Sequence, residues 1–213
     1  MKKILILTDS LGLPREHNND IIQATQTWPS LLSKKFDVCH LGIGGATIDI
    51  LTNQAAYHRF FYPNIIIVQS GIVDCAPRTL TRREKNLIEN LPFVGRFIYP
   101  IIKRYNKQIR KWRNAKLSTE ELYRSNVKKI ISLFDGKPVY FIGILPASKE
   151  YEKIVPGITK SIITFNNILK QEAKGNYINM DTISQSDILG CHHHLSISGN
   201  EYLYKKIIDK LNK

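Results

Sequence analysis

Carboxylates are scarce in this chain. Eighteen Asp and Glu stand against 31 Lys and Arg, a formal net charge of +13, and fifteen of those cations, with only four glutamates, fall between Arg78 and Lys129. The excess is therefore a local electrostatic feature, not a property of the whole surface. Cysteine is also rare: Cys39, Cys75 and Cys191 are odd in number, far apart and free of any CxxC spacing. That excludes a disulfide framework and favours a reducing compartment. Long apolar runs are missing too. After Met1-Lys2-Lys3 the apolar stretch extends only from Ile4 to Leu7 before Asp9 interrupts it. This is too short for a signal-peptide core or a membrane span, so the start reads as the first strand of a cytoplasmic domain. Neither GxGxxG nor GK[ST] occurs, which leaves no dinucleotide or phosphate-loop fingerprint and no expected cofactor. There is no internal repeat and no low-complexity linker.

What is present is a chain of 213 residues, 43% hydrophobic, enough for a substantial core without staples. Short apolar runs at Lys3–Leu7, Phe36–Leu41, Asn64–Gln69, Val139–Leu145 and Tyr177–Met180 read as strands. Between them, helical patterns are expected from Thr27, over 47–57, over 122–134, over 158–174 and over 198–211, with 11–26 left as a loop. Strands alternating with helices predict an α/β fold, a three-layer α/β/α sandwich around a five-stranded, mainly parallel sheet. One domain, 1–213, accounts for everything, with a basic helical insertion at about 79–117. Within that insertion, 91–102 mixes apolar residues with helix breakers.

Three stretches place polar groups where strands end. Thr8-Asp9-Ser10-Leu11 closes the first strand with a hydroxyl at the carboxyl edge of the sheet, where open α/β sheets gather their functional groups. Gly42-Ile43-Gly44-Gly45-Ala46-Thr47 closes the second with backbone amides that a ligand can approach closely. Gly71-Ile72-Val73-Asp74, followed by Arg78, closes the third. Near the end comes His194-Leu195-Ser196-Ile197-Ser198-Gly199.

Together these four blocks resemble those of the SGNH/GDSL hydrolase superfamily, in the family's order. The resemblance implies acyl transfer at an ester, with Ser10 as nucleophile, His194 as its base and the backbone amides of Ser10 and Gly45 as the oxyanion hole. Three positions depart from the family pattern. Thr8 replaces a glycine, Val73 replaces an asparagine whose amide would be a third oxyanion donor, and Cys191 stands where an aspartate would orient the base. Asp187, four residues before Cys191, is the alternative orienter, and a Ser-His dyad is another solution. Asp9, Asp74 and Arg78 are candidate substrate contacts. His193 is the fallback base, while Cys75 and Cys191 read as buried or loop thiols rather than nucleophiles.

His192, His193 and His194 are adjacent, so their side chains diverge, and no metal is expected. In the insertion, Phe93, Phe97, Ile98, Tyr99 and Ile101 stand beside seven cations between Lys103 and Lys116. This pattern suits an anionic membrane surface and peripheral attachment at the inner face. No nucleic-acid motif accompanies the charge. The expected substrate is an acylated small molecule or glycan, with an O-acetylated carbohydrate or surface-polysaccharide intermediate first. A glycan-binding or assembly protein with impaired catalysis and a lysophospholipase-like lipase are the alternatives.

Overall fold

The computed structural model describes residues 1–18 and 20–212. The apolar run at the start becomes the middle of the sheet because it is paired on both sides. Strand β1 (Lys3–Thr8) is followed by a small antiparallel hairpin, β2 (Arg15–His17) with β3 (Asp20–Ile22), and by helix α1 (Trp28–Ser33). Strand β4 (Asp37–Gly42), helix α2 (Ile48–His58), strand β5 (Ile65–Gln69) and the single turn α3 (Ile72–Cys75) come next. The insertion supplies α4 (Arg82–Glu89), α5 (Pro92–Arg104) and α6 (Asn106–Arg113). Then follow α7 (Glu120–Leu133), β6 (Val139–Ile142), α8 (Lys149–Ile154), α9 (Ile158–Ala173), β7 (Tyr177–Ile178) and α10 (Ile197–Leu211).

The sheet order is β4-β1-β5-β6-β7 with every pair parallel, so all five strands point their carboxyl ends to one edge. Period-two alternation splits the strands between two cores. Leu5, Leu7, Ile66 and Val68 pack with α2, α7 and α9 on one face. Ile4, Ile6, Ile65 and Ile67 pack with α1 and α10 on the other. A strand buried on both sides must be continuously apolar, and this is why these runs were readable.

Three expectations are corrected. The stretch 11–26 is not an irregular loop but carries the β2–β3 hairpin between two single 3-10 turns. The helix breakers in 91–102 do not break: Pro92 stands at the first helical position, where no intrahelical N–H is needed, and Pro100 lies inside α5. Helix α8 was not expected; its start is set by Ser148, whose hydroxyl accepts from the Tyr151 amide at 3.0 Å.

The insertion is clipped at its base. Arg78 N–H donates to the Ala115 carbonyl at 2.7 Å across an isolated antiparallel bridge. Arg113 reaches back to Glu84 at 2.5 Å and to the Thr79 carbonyl at 3.0 Å. The insertion thus springs from the carboxyl edge of β5 and returns to it. No helix among the described residues is long and apolar enough to cross a membrane.

Candidate active site

At the end of β1 the chain turns sharply. Asp9 N–H donates to the Gln69 carbonyl of β5 at 3.1 Å, and its carboxylate accepts from the Leu11 amide at 2.9 Å. This Asx-type cap winds Ser10–Gly12 into one 3-10 turn, with Ser10 as its first residue. Its N–H is one of the unsatisfied donors that every helical start leaves. Thr8 is accommodated because Gly12 yields space, since a Cβ there would stand 2.6 Å from Thr8 Oγ1. The Thr8 hydroxyl is also held 2.9 Å from His40 Nε2 on β4.

His194 arrives from the far end of the chain. The loop before α10 folds on itself through an Ile188–Leu195 bridge, with Leu189 N–H donating to the His194 carbonyl at 2.8 Å. Ser196 caps α10 by accepting from the Gly199 amide at 3.2 Å. So fixed, the imidazole is only 5% exposed. Its Nε2 lies 2.9 Å from Ser10 Oγ, and its Nδ1 lies 3.1 Å from Cys191 Sγ. With the ring proton on Nδ1, Ser10 O–H donates to Nε2 and the ring donates to the sulfur.

Asp187 is not the orienter. Its carboxylate accepts from Ser198 Oγ at 2.5 Å at the start of α10, and its carbonyl accepts from the Ser196 amide at 2.9 Å. The bridge that shapes the loop leaves it at the base of α10, while Cys191 faces the ring. Asp9 and Asp74, expected as substrate contacts, are both fully buried beneath the site and line no part of the pocket. The Asp74 carboxylate accepts from the Ile48 amide (3.1 and 3.2 Å), Ser70 Oγ (3.1 Å) and Ser118 Oγ (2.5 Å). It therefore caps α2 from a distance, where Thr47 supplies no side-chain cap.

Above these groups opens a pocket of about 500 Å³. Ser10 and Gly45 stand on its floor side, with Val73 and Cys191 among its walls. Gly45 has φ +72°, a left-handed turn at which a Cβ is strained. Neither its amide nor that of Ser10 is taken by a backbone or side-chain acceptor among the described residues. The Val73 side chain has no donor to offer. Arg78 lines the pocket, and among the lining residues missed two carry polar groups at long side-chain ends: Tyr151 from α8 and Arg110 from α6. The Ser148 cap was a readable signal for Tyr151; nothing local marked Arg110.

Cys191, His193 and His194 bring their donor atoms within 4.8 Å of one another. Both ring nitrogens of His194 are already opposed, by Ser10 and by Cys191, and His193 Nδ1 is 2.5 Å from the Cys191 carbonyl. A cation there would displace the contacts that define the Ser10–His194 pair.

Burial, reinforced by His193, Arg15 and His17, pushes the His194 imidazole down to about 3, so the ring is neutral. Burial lowers His40 to about 4 and raises Asp74 against its three kinds of donor. Asp9 is raised to about 7, again by burial first. Its Oδ2 and Gln69 Oε1 have no hydrogen-bond partner.

No family model matches the sequence, and no curated protein matches it. Solved structures do. A lipase/acylhydrolase from Enterococcus faecalis superposes with TM-score 0.68 at 13% identity, covering 99% of this chain and 95% of its own. A carbohydrate acetylesterase from Sinorhizobium meliloti superposes with TM-score 0.62 at 14% identity, covering 100% and 99%. A GDSL-like lipase from Bacteroides thetaiotaomicron gives 0.60 at 13% identity, covering 99% and 87%. The fold is that of the GDSL/SGNH hydrolases.

Asp9 makes stability depend on pH. Its folded-state value of about 7 lies above the ordinary 3.8, so the folded protein holds the proton longer. Stability therefore falls as pH rises from about 4 to about 7, by an amount on the order of a few kcal/mol. Asp9→Asn keeps an acceptor for Leu11 and offers an amide to Gln69 Oε1. Its melting temperature should exceed that of the wild type at pH 8, with the gap closing at pH 5. A gap independent of pH would contradict a buried, titrating Asp9.

Proposed function

We propose that this chain, with its GDSL-hydrolase fold, is a serine esterase or O-acyltransferase that handles small O-acyl groups on a carbohydrate. The observation that carries the reading is the 2.9 Å contact of Ser10 Oγ with a neutral His194 Nε2. The contact lies at a pocket bounded by two uncommitted amides, those of Ser10 and Gly45. In the acylation step Ser10 Oγ attacks the ester carbonyl carbon while its proton passes to Nε2. The carbonyl oxygen becomes an oxyanion facing the Ser10 and Gly45 amides; one such donor is typically worth roughly 2.7–4 kcal/mol of barrier. Collapse breaks the bond to the alcohol, which leaves with the proton from Nε2 and an acyl-Ser10 behind. Water or an acceptor hydroxyl then releases the acyl group by the same route reversed. The carbohydrate is supported by the likeness to the Sinorhizobium acetylesterase and by a pocket of ligand size.

Cys191 favours a second reading, a glycan-binding protein with impaired catalysis, because a thiol stabilises an imidazolium poorly. The test is acetyl-ester turnover with labelling by a serine-directed phosphonate. The wild type should hydrolyse p-nitrophenyl acetate and carry the adduct on Ser10, and Ser10→Ala should do neither. Equal background rates and no adduct would leave the binding reading. Preference for long acyl chains would instead point to a lysophospholipase-like enzyme.

The low His194 value gives a distinct pH profile. Activity should persist to about pH 5, where an ordinary imidazole at 6.5 is mostly protonated. Cys191→Asp should raise kcat at neutral pH at least tenfold and move the acidic limb upward, because a carboxylate stabilises the imidazolium. The converse change, Asp to Asn in a related triad, costs about 10⁴. Unchanged kcat and profile would mean that Cys191 does not act through the ring.

The insertion is assigned to an anionic membrane surface, with peripheral attachment and no nucleic-acid partner. Helix α5 exposes Phe93, Phe97 and Ile101 four residues apart, at 85%, 73% and 57%, and Trp112 on α6 is 86% exposed. Arg96, Lys103, Arg104, Lys107 and Lys111, on the same two helices, are exposed as well. Each such cation near an anionic leaflet contributes roughly 1 kcal/mol. The three unpaired thiols suit the cytoplasmic side. The protein should sediment with phosphatidylglycerol vesicles at moderate salt but not with phosphatidylcholine, and Phe97→Asp with Trp112→Asp should stay in solution. A wild type that stays in the supernatant refutes the assignment.

A further inference from the structure

Two guanidinium groups face the pocket from opposite sides of the insertion clip. Arg78 leads into the insertion and Arg110 lies on α6 near its return, and both line the 500 Å³ pocket with Ser10. No carboxylate lines it. Neither arginine has an ion-pair partner among the described residues, although Arg113 and Arg124 are paired with Glu84 and Glu172. The Nε atoms of both are buried without any hydrogen-bond partner. Arg78 makes one side-chain contact, donating from Nη2 to the Val73 carbonyl at 3.2 Å, which folds its guanidinium against the turn that ends β5.

Two like charges half-buried on one cavity are costly unless something answers them. Burial, and next to it the Arg78 charge, push the Arg110 guanidinium below its ordinary value. The surrounding wall, Ile72, Ala76, Pro77, Ile154 and Val155, offers no acceptor side chain. Tyr151 adds one phenol, which burial pushes up to about 12 and so keeps neutral. The missing component is an anion. A planar guanidinium binds a carboxylate or phosphate through paired N–H donors, and such charge-assisted bonds are among the stronger ones available.

We propose that Arg78 and Arg110 form an oxyanion subsite that holds a carboxylate or phosphate of the substrate beside the ester presented to Ser10. The substrate class thereby narrows from acylated carbohydrate to acylated acidic carbohydrate: a uronate, or a sugar bearing a phosphate. This deepens the esterase reading and rests on it for the position of the ester, but binding of the anion does not require turnover. The subsite belongs to the insertion as much as to the hydrolase core, because α6 carries Arg110 over the pocket.

The experiment compares acetate release from three acetylated sugars: a methyl glucoside, a methyl glucuronoside and glucose 1-phosphate. For at least one acidic sugar, kcat/KM should exceed that of the neutral glucoside tenfold or more, chiefly through KM. The arm that responds distinguishes carboxylate from phosphate. Arg78→Gln and Arg110→Gln should each lower the acidic-to-neutral ratio at least fivefold. Lys205→Gln, an exposed cation on α10 outside the pocket, should leave the ratio as it is. Equal kcat/KM for acidic and neutral esters in the wild type overturns the subsite. So does a ratio untouched by either arginine substitution, even if both variants are slower. Should no ester turn over, calorimetry on Ser10→Ala with unacetylated glucuronate, glucose 1-phosphate and glucose still decides. Binding of an acidic sugar, lost in the Arg110→Gln background, supports the subsite and leaves only the acyl chemistry in error; binding of none overturns it.

Discussion

The structure depends on a carboxylate that lies outside the pocket. Asp74 is buried completely, and four donor contacts converge on it from three segments: the end of β5 at Ser70, the start of α2 at Ile48 and the lead into α7 at Ser118. Those segments carry, respectively, the Val73–Arg78 turn, the Gly45 turn and the return of the insertion. A buried carboxylate is tolerated only when its lone pairs are filled, and here they are filled by the pieces that frame the pocket. Each donor stranded by its removal would cost about 1–3 kcal/mol, so the tie is cooperative. Pocket walls from sequence-distant loops hold one shape because they share one acceptor.

Most of the sheet was legible because parallel strands buried on both faces must be apolar throughout. The even and odd residues of Ile4–Leu7 then fall into the two separate cores. The meeting of Ser10 with His194 across 184 residues was legible through the resemblance of their blocks to the SGNH/GDSL pattern, and the topology agrees with it, since both sit at carboxyl-edge junctions. Other features were hidden, each for a physical reason. Strands β2 and β3 have three residues each, too few for alternation to register. Pro100 reads as a breaker, yet in an exposed helix it removes only the bond to the Arg96 carbonyl. Asp187 and Cys191 both precede His194 in one loop, by seven and three residues, and the Ile188–Leu195 bridge leaves Asp187 at the base of α10 while Cys191 meets the ring. Asp9 and Asp74 look like site carboxylates by position; burial of both, together with the filled lone pairs of Asp74, makes them scaffold instead.

As the nucleophile and base proposed above, Ser10 and His194 stand under an electrostatic handicap. In the familiar triad a carboxylate stabilises the imidazolium that forms when serine gives up its proton. Here the group in that place is a thiol, and the neighbours of His194 include Arg15, His17 and His193, all unfavourable to a positive ring. The histidine is always available as a base but is a weak one, and base strength matters to proton transfer. Val73 removes a donor from the oxyanion side as well. On the proposed esterase reading, holding the substrate well is what offsets this, since binding energy from remote groups can compensate for poor chemistry at the reacting centre.

That requirement gives the insertion its significance. Arg110 faces the pocket, and Trp112, two residues later on the same helix α6, is exposed to solvent. Successive positions on a helix are about 100° apart, so a separation of two places them on nearly opposite faces. One helix thus presents a charge to the pocket and an aromatic ring outward, while the Arg78–Ala115 bridge pins the base of the insertion to the sheet edge. The two contacts respond differently to salt. Exposed cations around α5 and α6 are screened within a Debye length, about 8 Å at physiological ionic strength, whereas half-buried Arg78 and Arg110 are screened less. Raising salt should therefore release the protein from an anionic surface before it weakens anion binding in the pocket. That order separates the outward face of the insertion from its inward one.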